Sequence, residues 1–153
     1  MQNSQPAEPP HPAADVTEHV GYRLKRAHAA LRNAMDRALR EHDLTVPQYS
    51  CLELLALQPD MSNAELARRA FVTRQSMNVV LRGLLDADLI TRPTTADHGR
   101  ARPARLTERG RRRLEDARST VYAVERRMTE ALPQSRLTAL LDDLDHLAEA
   151  LDG

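Results

Sequence analysis

A chain of 153 residues with 41% hydrophobic side chains holds enough apolar material for one globular domain with a continuous core. No apolar run approaches the roughly 18 residues of a membrane span, and residues 1–15 lack the basic start and apolar middle of a signal peptide, so a soluble, cytoplasmic chain is expected. Cys51 is the single cysteine, and the six histidines show no H-x-x-x-H pair, which excludes an internal disulfide and leaves no metal or structural-zinc site to name.

The formal net charge of zero hides a lopsided distribution. Residues 63–113 carry twelve arginines against five carboxylates, a net of +7, whereas residues 133–153 carry one arginine against five carboxylates, a net of −4. Local fields steer partners more than totals do, so the middle of the chain is the part suited to an anionic partner and the tail is not.

Residues 1–15 hold four prolines, no basic residue and little to bury, and read as a disordered arm. Val20, Leu24, Ala27, Leu31, Ala34 and Ala38 then step by threes and fours, predicting an amphipathic helix to about His42, roughly 40 Å long if it starts at Val16. Thr45 with Gln48 and Ser62 with Glu65 fit capping boxes, so two shorter helices start there. Thr73 is a third N-cap, and Met77, Val80, Leu81 and Leu84 form the inner face of a helix ending near Asp88. Helices at 63–71 and 73–88 leave almost no linker, the compact arrangement of a helix-turn-helix.

Two short strands, 89–94 and 101–106, can flank the polar turn Thr95–Arg100, and the proline in each confines them to sheet edges. Helical stepping returns at Leu114, Ala117, Val121, Val124, Met128 and Ala131, and again at Leu137, Leu140, Leu144, Leu147 and Leu151, with Pro133 opening the last helix. The three long apolar stripes exceed what one small core can cover, and unburied stripes mark an interface, so a two-fold homodimer is expected.

The ordered segments LTVPQYSCLELL, MSNAELARRAFVTRQSMNVVLRGLLDADLITR and GRARPARLTERGRRRL resemble the winged helix-turn-helix regulators of the MarR (multiple antibiotic resistance regulator) type, from about Leu44 to Gly110. The resemblance implies a mainly α fold: a winged helix-turn-helix with a two-stranded wing, flanked by long N- and C-terminal helices that form a dimerisation bundle. The expected divisions are 1–15 as the arm, 16–43 as a dimerisation helix, 44–107 as the DNA-binding core and 108–153 as the C-terminal dimerisation helices. Two positions depart from the family pattern. Asp88 stands where glycine is usual, and His98 stands where the wing often has an acidic residue before its arginine, here Arg100.

In such a fold the N-terminal half of the second helix enters the major groove, where arginine pairs with guanine and asparagine or glutamine with adenine. Arg74, Gln75, Ser76, Asn78, Val79 and Arg82, after the N-cap Thr73, are the expected contacts. Arg100 and Arg102 suit a narrow minor groove, and Arg92 and Arg105 suit phosphates. With three tyrosines and one phenylalanine the chain has little to stack on single strands, so double-stranded DNA is the expected partner. The family resemblance also implies a small aromatic or anionic effector, for which Tyr22, His28 and Tyr49 are candidate lining residues.

A ligand-responsive repressor, acting as a homodimer on a pseudo-palindromic operator, is therefore expected. No catalytic motif or cofactor fingerprint is present, and an enzyme is not expected. Two other readings stay open on sequence alone: a winged-helix adaptor that binds protein rather than DNA, and a redox-sensing regulator working through Cys51.

Overall fold

The computed structural model describes residues 15–92 and 103–152. A short 3-10 turn, Val16–Glu18, leads into α1 (Val20–Arg40), α2 (Val46–Leu57), α3 (Asn63–Arg69) and α4 (Arg74–Asp86). Strands β1 (Ile90–Thr91) and β2 (Arg105–Leu106) follow, then α5 (Glu108–Thr129) and α6 (Gln134–Glu149). The strands pair antiparallel, Ile90 opposite Leu106 and Thr91 opposite Arg105. The arm expected over 1–15 lies outside the described residues apart from Asp15, as do the expected wing tip and its Arg100 and Arg102. Each strand is thus two residues long where the sequence suggested six, and α1 stops two residues short of His42.

Local chemistry explains where the helices begin. Thr45 and Ser62 each close a full capping box, with Gln48 and Glu65 reaching back to the cap's own N–H, and Pro47 sits in the first turn of α2, where its missing donor costs nothing. Thr73 accepts the Ser76 N–H and Thr107 accepts the Gly110 N–H, which starts α4 and α5. At the end of α4 the chain reverses through Asp88 in the left-handed region, φ 58°, the conformation for which glycine is the usual residue.

The core lies where α2, α4, α5 and the two strands converge. Leu39, Leu52, Leu55, Leu66, Met77, Leu81, Leu84, Leu89 and Leu114 are almost fully withdrawn from water. Leu89 and Gly110 fix how α5 meets this core: a Cβ on Gly110 would stand 2.0 Å from the Leu89 carbonyl oxygen. That same oxygen accepts the Thr107 N–H at 3.1 Å, and the Thr107 hydroxyl donates to the Asp88 carbonyl at 2.8 Å. The LT-x-x-G run is therefore a docking joint between the end of α4 and the start of α5.

The long helices are only half used. On α1 the stripe is buried or half-buried at Leu31, Ala34 and Ala38, where it packs on α5, but Val20 and Leu24 are exposed. On α6 no residue is buried, and Leu140, Leu141, Leu144 and Leu147, with Leu151 just past its end, all face solvent. Among the described residues no helix is long and apolar enough to cross a membrane.

Candidate nucleic-acid interface

Helix α3 buries Leu66 and Ala67 against α4, which in turn buries Met77, Leu81 and Leu84. With its inner face committed, α4 turns Gln75, Val79 and Arg82 outward, spaced by four and three residues and so aligned in one row. All three are exposed, and Val79 retains 66% of its accessible surface. Arg74, also exposed, stands beside this row at the N-terminus of the helix. A row of amide, branched aliphatic and guanidinium groups matches what a major groove offers: donor and acceptor edges plus the thymine methyl.

The other expected contacts are placed as follows. Thr73 and Ser76 spend their hydroxyls on each other and on the cap, with Thr73 Oγ1 donating to Ser76 Oγ at 2.9 Å. Asn78 accepts from Asn63 Nδ2 on its Oδ1 at 2.9 Å. Arg92 and Arg105, expected on phosphates, are both tied to their own chain: Arg92 Nη2 donates to Asn63 Oδ1 at 3.2 Å, and Arg105 forks onto Asp60 at 2.6 and 2.8 Å. The guanidinium beside Asp60 holds that carboxyl below its usual range. Asn63 and Asp60 went unnoticed in the sequence because their partners lie 29 and 45 residues away, beyond any local period.

Phe71 also escaped notice. It forms the turn between α3 and α4 with φ 55°, and it is 95% exposed. The only sequence signal is its place in a turn that calls for a left-handed residue, a conformation that is strained for an aromatic side chain.

The consecutive arginines near the start of α5 meet local anions rather than an open field. Arg111 and Arg112 lie 3.9 and 3.3 Å from Glu108, and Arg113 donates to the His42 carbonyl at 2.8 Å. These pairs offset the mismatch of cations with a helix N-terminus.

A cavity of about 690 Å³ opens between α2, β2 and α5. Leu55, Leu106 and Leu114 contribute its apolar lining, with Arg105, Arg111 and Arg118 as cations and Asp60 and Glu115 as anions. Tyr22, His28 and Tyr49 do not line it. Tyr22 and His28 are exposed on α1, while Tyr49 donates to Glu53 Oε1 at 2.7 Å. Burial and that bond push the tyrosine hydroxyl up, whereas the bonds from Arg118 hold the Glu53 carboxyl low. Cys51 is buried against the core, and burial pushes its thiol up to about 12. Burial thus disfavours the thiolate that oxidants attack.

A model of the MarR family matches residues 42–101. The HTH-type transcriptional repressor Rv2887 of Mycobacterium tuberculosis is 44% identical over 119 residues, which span 76% of this chain and 86% of the relative. The chain belongs to the MarR family. Solved structures place its fold beside the same regulators: Rv2887 complexed with DNA has a TM-score of 0.70 at 39% identity, covering 84% of this chain and 97% of that one. Rv2887 complexed with salicylic acid gives 0.69 at 40%, covering 84% and 96%. The repressor CouR of Rhodococcus jostii RHA1, bound to a 23-mer DNA duplex, gives 0.79 at 30%, covering 86% and 94%. Within this MarR-family chain, the matched stretch contains the row on α4, the linked Arg92, Asn63 and Asn78 and the exposed Phe71, whereas Arg105, the partner of Asp60, lies beyond it.

Proposed function

We propose that this regulator works as a homodimer that occupies a pseudo-palindromic operator and represses by occlusion, without catalysis. The observation that carries the reading is the outward row Gln75, Val79 and Arg82 on a helix whose opposite face is locked into the core. Arg74 supports it from the helix N-terminus, where a guanidinium can reach a guanine edge or a phosphate. The exposed leucines of α6 and the uncovered start of α1 supply the dimer surface, and the −4 charge of the last segment keeps that surface away from phosphate. A dyad would then set two α4 helices about one DNA turn, roughly 34 Å, apart.

Effector response is assigned to the cavity between α2, β2 and α5. It combines an apolar lining with Arg105, Arg111 and Arg118, the chemistry an aromatic carboxylate asks for, and one relative, Rv2887, has been solved with salicylic acid and with p-aminosalicylic acid. An arriving carboxylate competes with Asp60 for Arg105, loosening the tie between the wing strand and the loop after α2.

One titration of operator duplex tests both halves. Arg74→Ala is expected to relax base preference, each good base contact being worth about 1–3 kcal/mol. Arg105→Ala is expected to weaken all sequences alike and to abolish release by salicylate. An Arg74→Ala protein with unchanged preference and affinity would contradict the assignment of α4, and an Arg105→Ala protein that salicylate still releases would contradict the assignment of the cavity.

A further inference from the structure

Three polar side chains from three elements are linked behind the reading face of α4. Arg92, just after β1, donates Nη2 to Asn63 Oδ1 at 3.2 Å, and Asn63, the first residue of α3, donates Nδ2 to Asn78 Oδ1 at 2.9 Å. Chemistry fixes the direction of this chain. A guanidinium carries donors only, so Asn63 must turn its oxygen to Arg92 and its amide nitrogen to Asn78, which receives it on oxygen. An isolated amide fits either way round, but one that ends on an arginine does not. Arg92 is half-buried, and its Nε is buried without a partner among the described residues, so this is a packed side chain and not one moving freely in solvent. Asn78, by contrast, is exposed.

With Oδ1 turned back to Asn63, the group Asn78 leads with is its amide N–H₂. We infer that Asn63 and Arg92 set the hydrogen-bonding polarity of Asn78, so that α4 offers DNA a donor there and selects an acceptor edge, guanine O6 and N7 or thymine O4. A freely turning asparagine would instead take the mixed N6/N7 edge of adenine. The inference rests on the reading of α4 as the helix that enters the groove. Asn63 and Arg92 act as positioning residues: they touch no base and decide which way the one that does is turned.

Asn63→Asp tests this without threatening the fold. The new carboxylate keeps an acceptor for Arg92 and places an anion in the first turn of α3, where the helix dipole favours it, so the thermal midpoint should hold or rise. It has no donor for Asn78, which must reverse, donating its nitrogen to the carboxylate and turning Oδ1 outward. Selection from a random duplex library with the full-length proteins reads the consequence. Asn78→Ala should flatten preference at one base pair per half-site. At that same pair Asn63→Asp should invert the preference by roughly tenfold, from guanine or thymine toward cytosine N4 or adenine N6, leaving the rest of the motif in place. Retention of the parental base in Asn63→Asp overturns the inference, and so does an Asn78→Ala protein in which no position flattens. If the parental protein enriches nothing, the reading of α4 itself fails, and the inference goes with it.

Discussion

Gly110→Ala is expected to lower stability by about 3 kcal/mol or more, a fall of roughly 6–12 °C in Tm for a chain of this size. The cause is backbone against backbone. The added methyl would stand 2.0 Å from the Leu89 carbonyl oxygen, and no rotamer change can relieve a contact with a main-chain atom. To make room, α5 must move off the segment joining α4 to β1, and three contacts loosen together: Thr107 N–H to Leu89, the Thr107 hydroxyl to Asp88, and the Thr107 cap on Gly110. Because that joint also sets how the wing strand lies against α5, operator affinity should fall with stability. Thermal unfolding followed by circular dichroism checks it, and a Tm within 2 °C of the parent would refute the docking role of the joint.

The second large effect is expected from α6. Leu140 and Leu147 retain 40% and 42% of their accessible surface, and with Leu144 and Leu151 they form a stripe that nothing in the described chain covers. Burying a fully exposed leucine contributes about 1.5–3 kcal/mol, and each of these contributes in proportion to the surface it still shows, so the stripes of two subunits together can offset the cost of association. A double substitution, Leu140→Asp with Leu147→Asp, places carboxylates in that seam and should yield a species of 17.2 kDa where the parent runs at twice that mass. The loss reaches function through avidity. With the two reading helices no longer linked, affinity for the full operator should drop by about 100-fold or more. Light scattering after size exclusion reads the mass, and a double variant that remains dimeric would place the interface elsewhere.

What the sequence disclosed depends on the distance over which each interaction acts. Thr45, Ser62 and Thr73 were legible as caps because each bonds a group three residues away, and all three caps are present in the structure. The inner face of α4 follows the same local rule, with Met77, Leu81 and Leu84 buried as their spacing required. Asp88 also behaves as its position demanded, taking the left-handed conformation without being glycine. The bonds from Arg105 to Asp60 and from Arg92 to Asn63 follow from tertiary packing, and no period in the sequence reports them. For this reason two arginines read as free for phosphate prove to be engaged with their own chain, and Asn78 proves to have a fixed orientation. Tyr22, His28 and Tyr49 were chosen as polar or aromatic side chains near helix stripes, and none of them lines the cavity between α2, β2 and α5 proposed for the effector, a cavity whose walls are brought together only by folding. The gradient of charge was legible throughout, since it needs only counting.

Selection of the purified parental protein against a random duplex library at near-physiological salt shows whether a symmetric dimer reads duplex sequence through α4. Enrichment of an inverted repeat with half-site centres about 10 base pairs apart is expected, bound with an affinity that falls steeply as salt is raised. A folded protein that enriches no sequence would contradict it and favour a winged-helix adaptor, and a single asymmetric half-site would contradict the dimer.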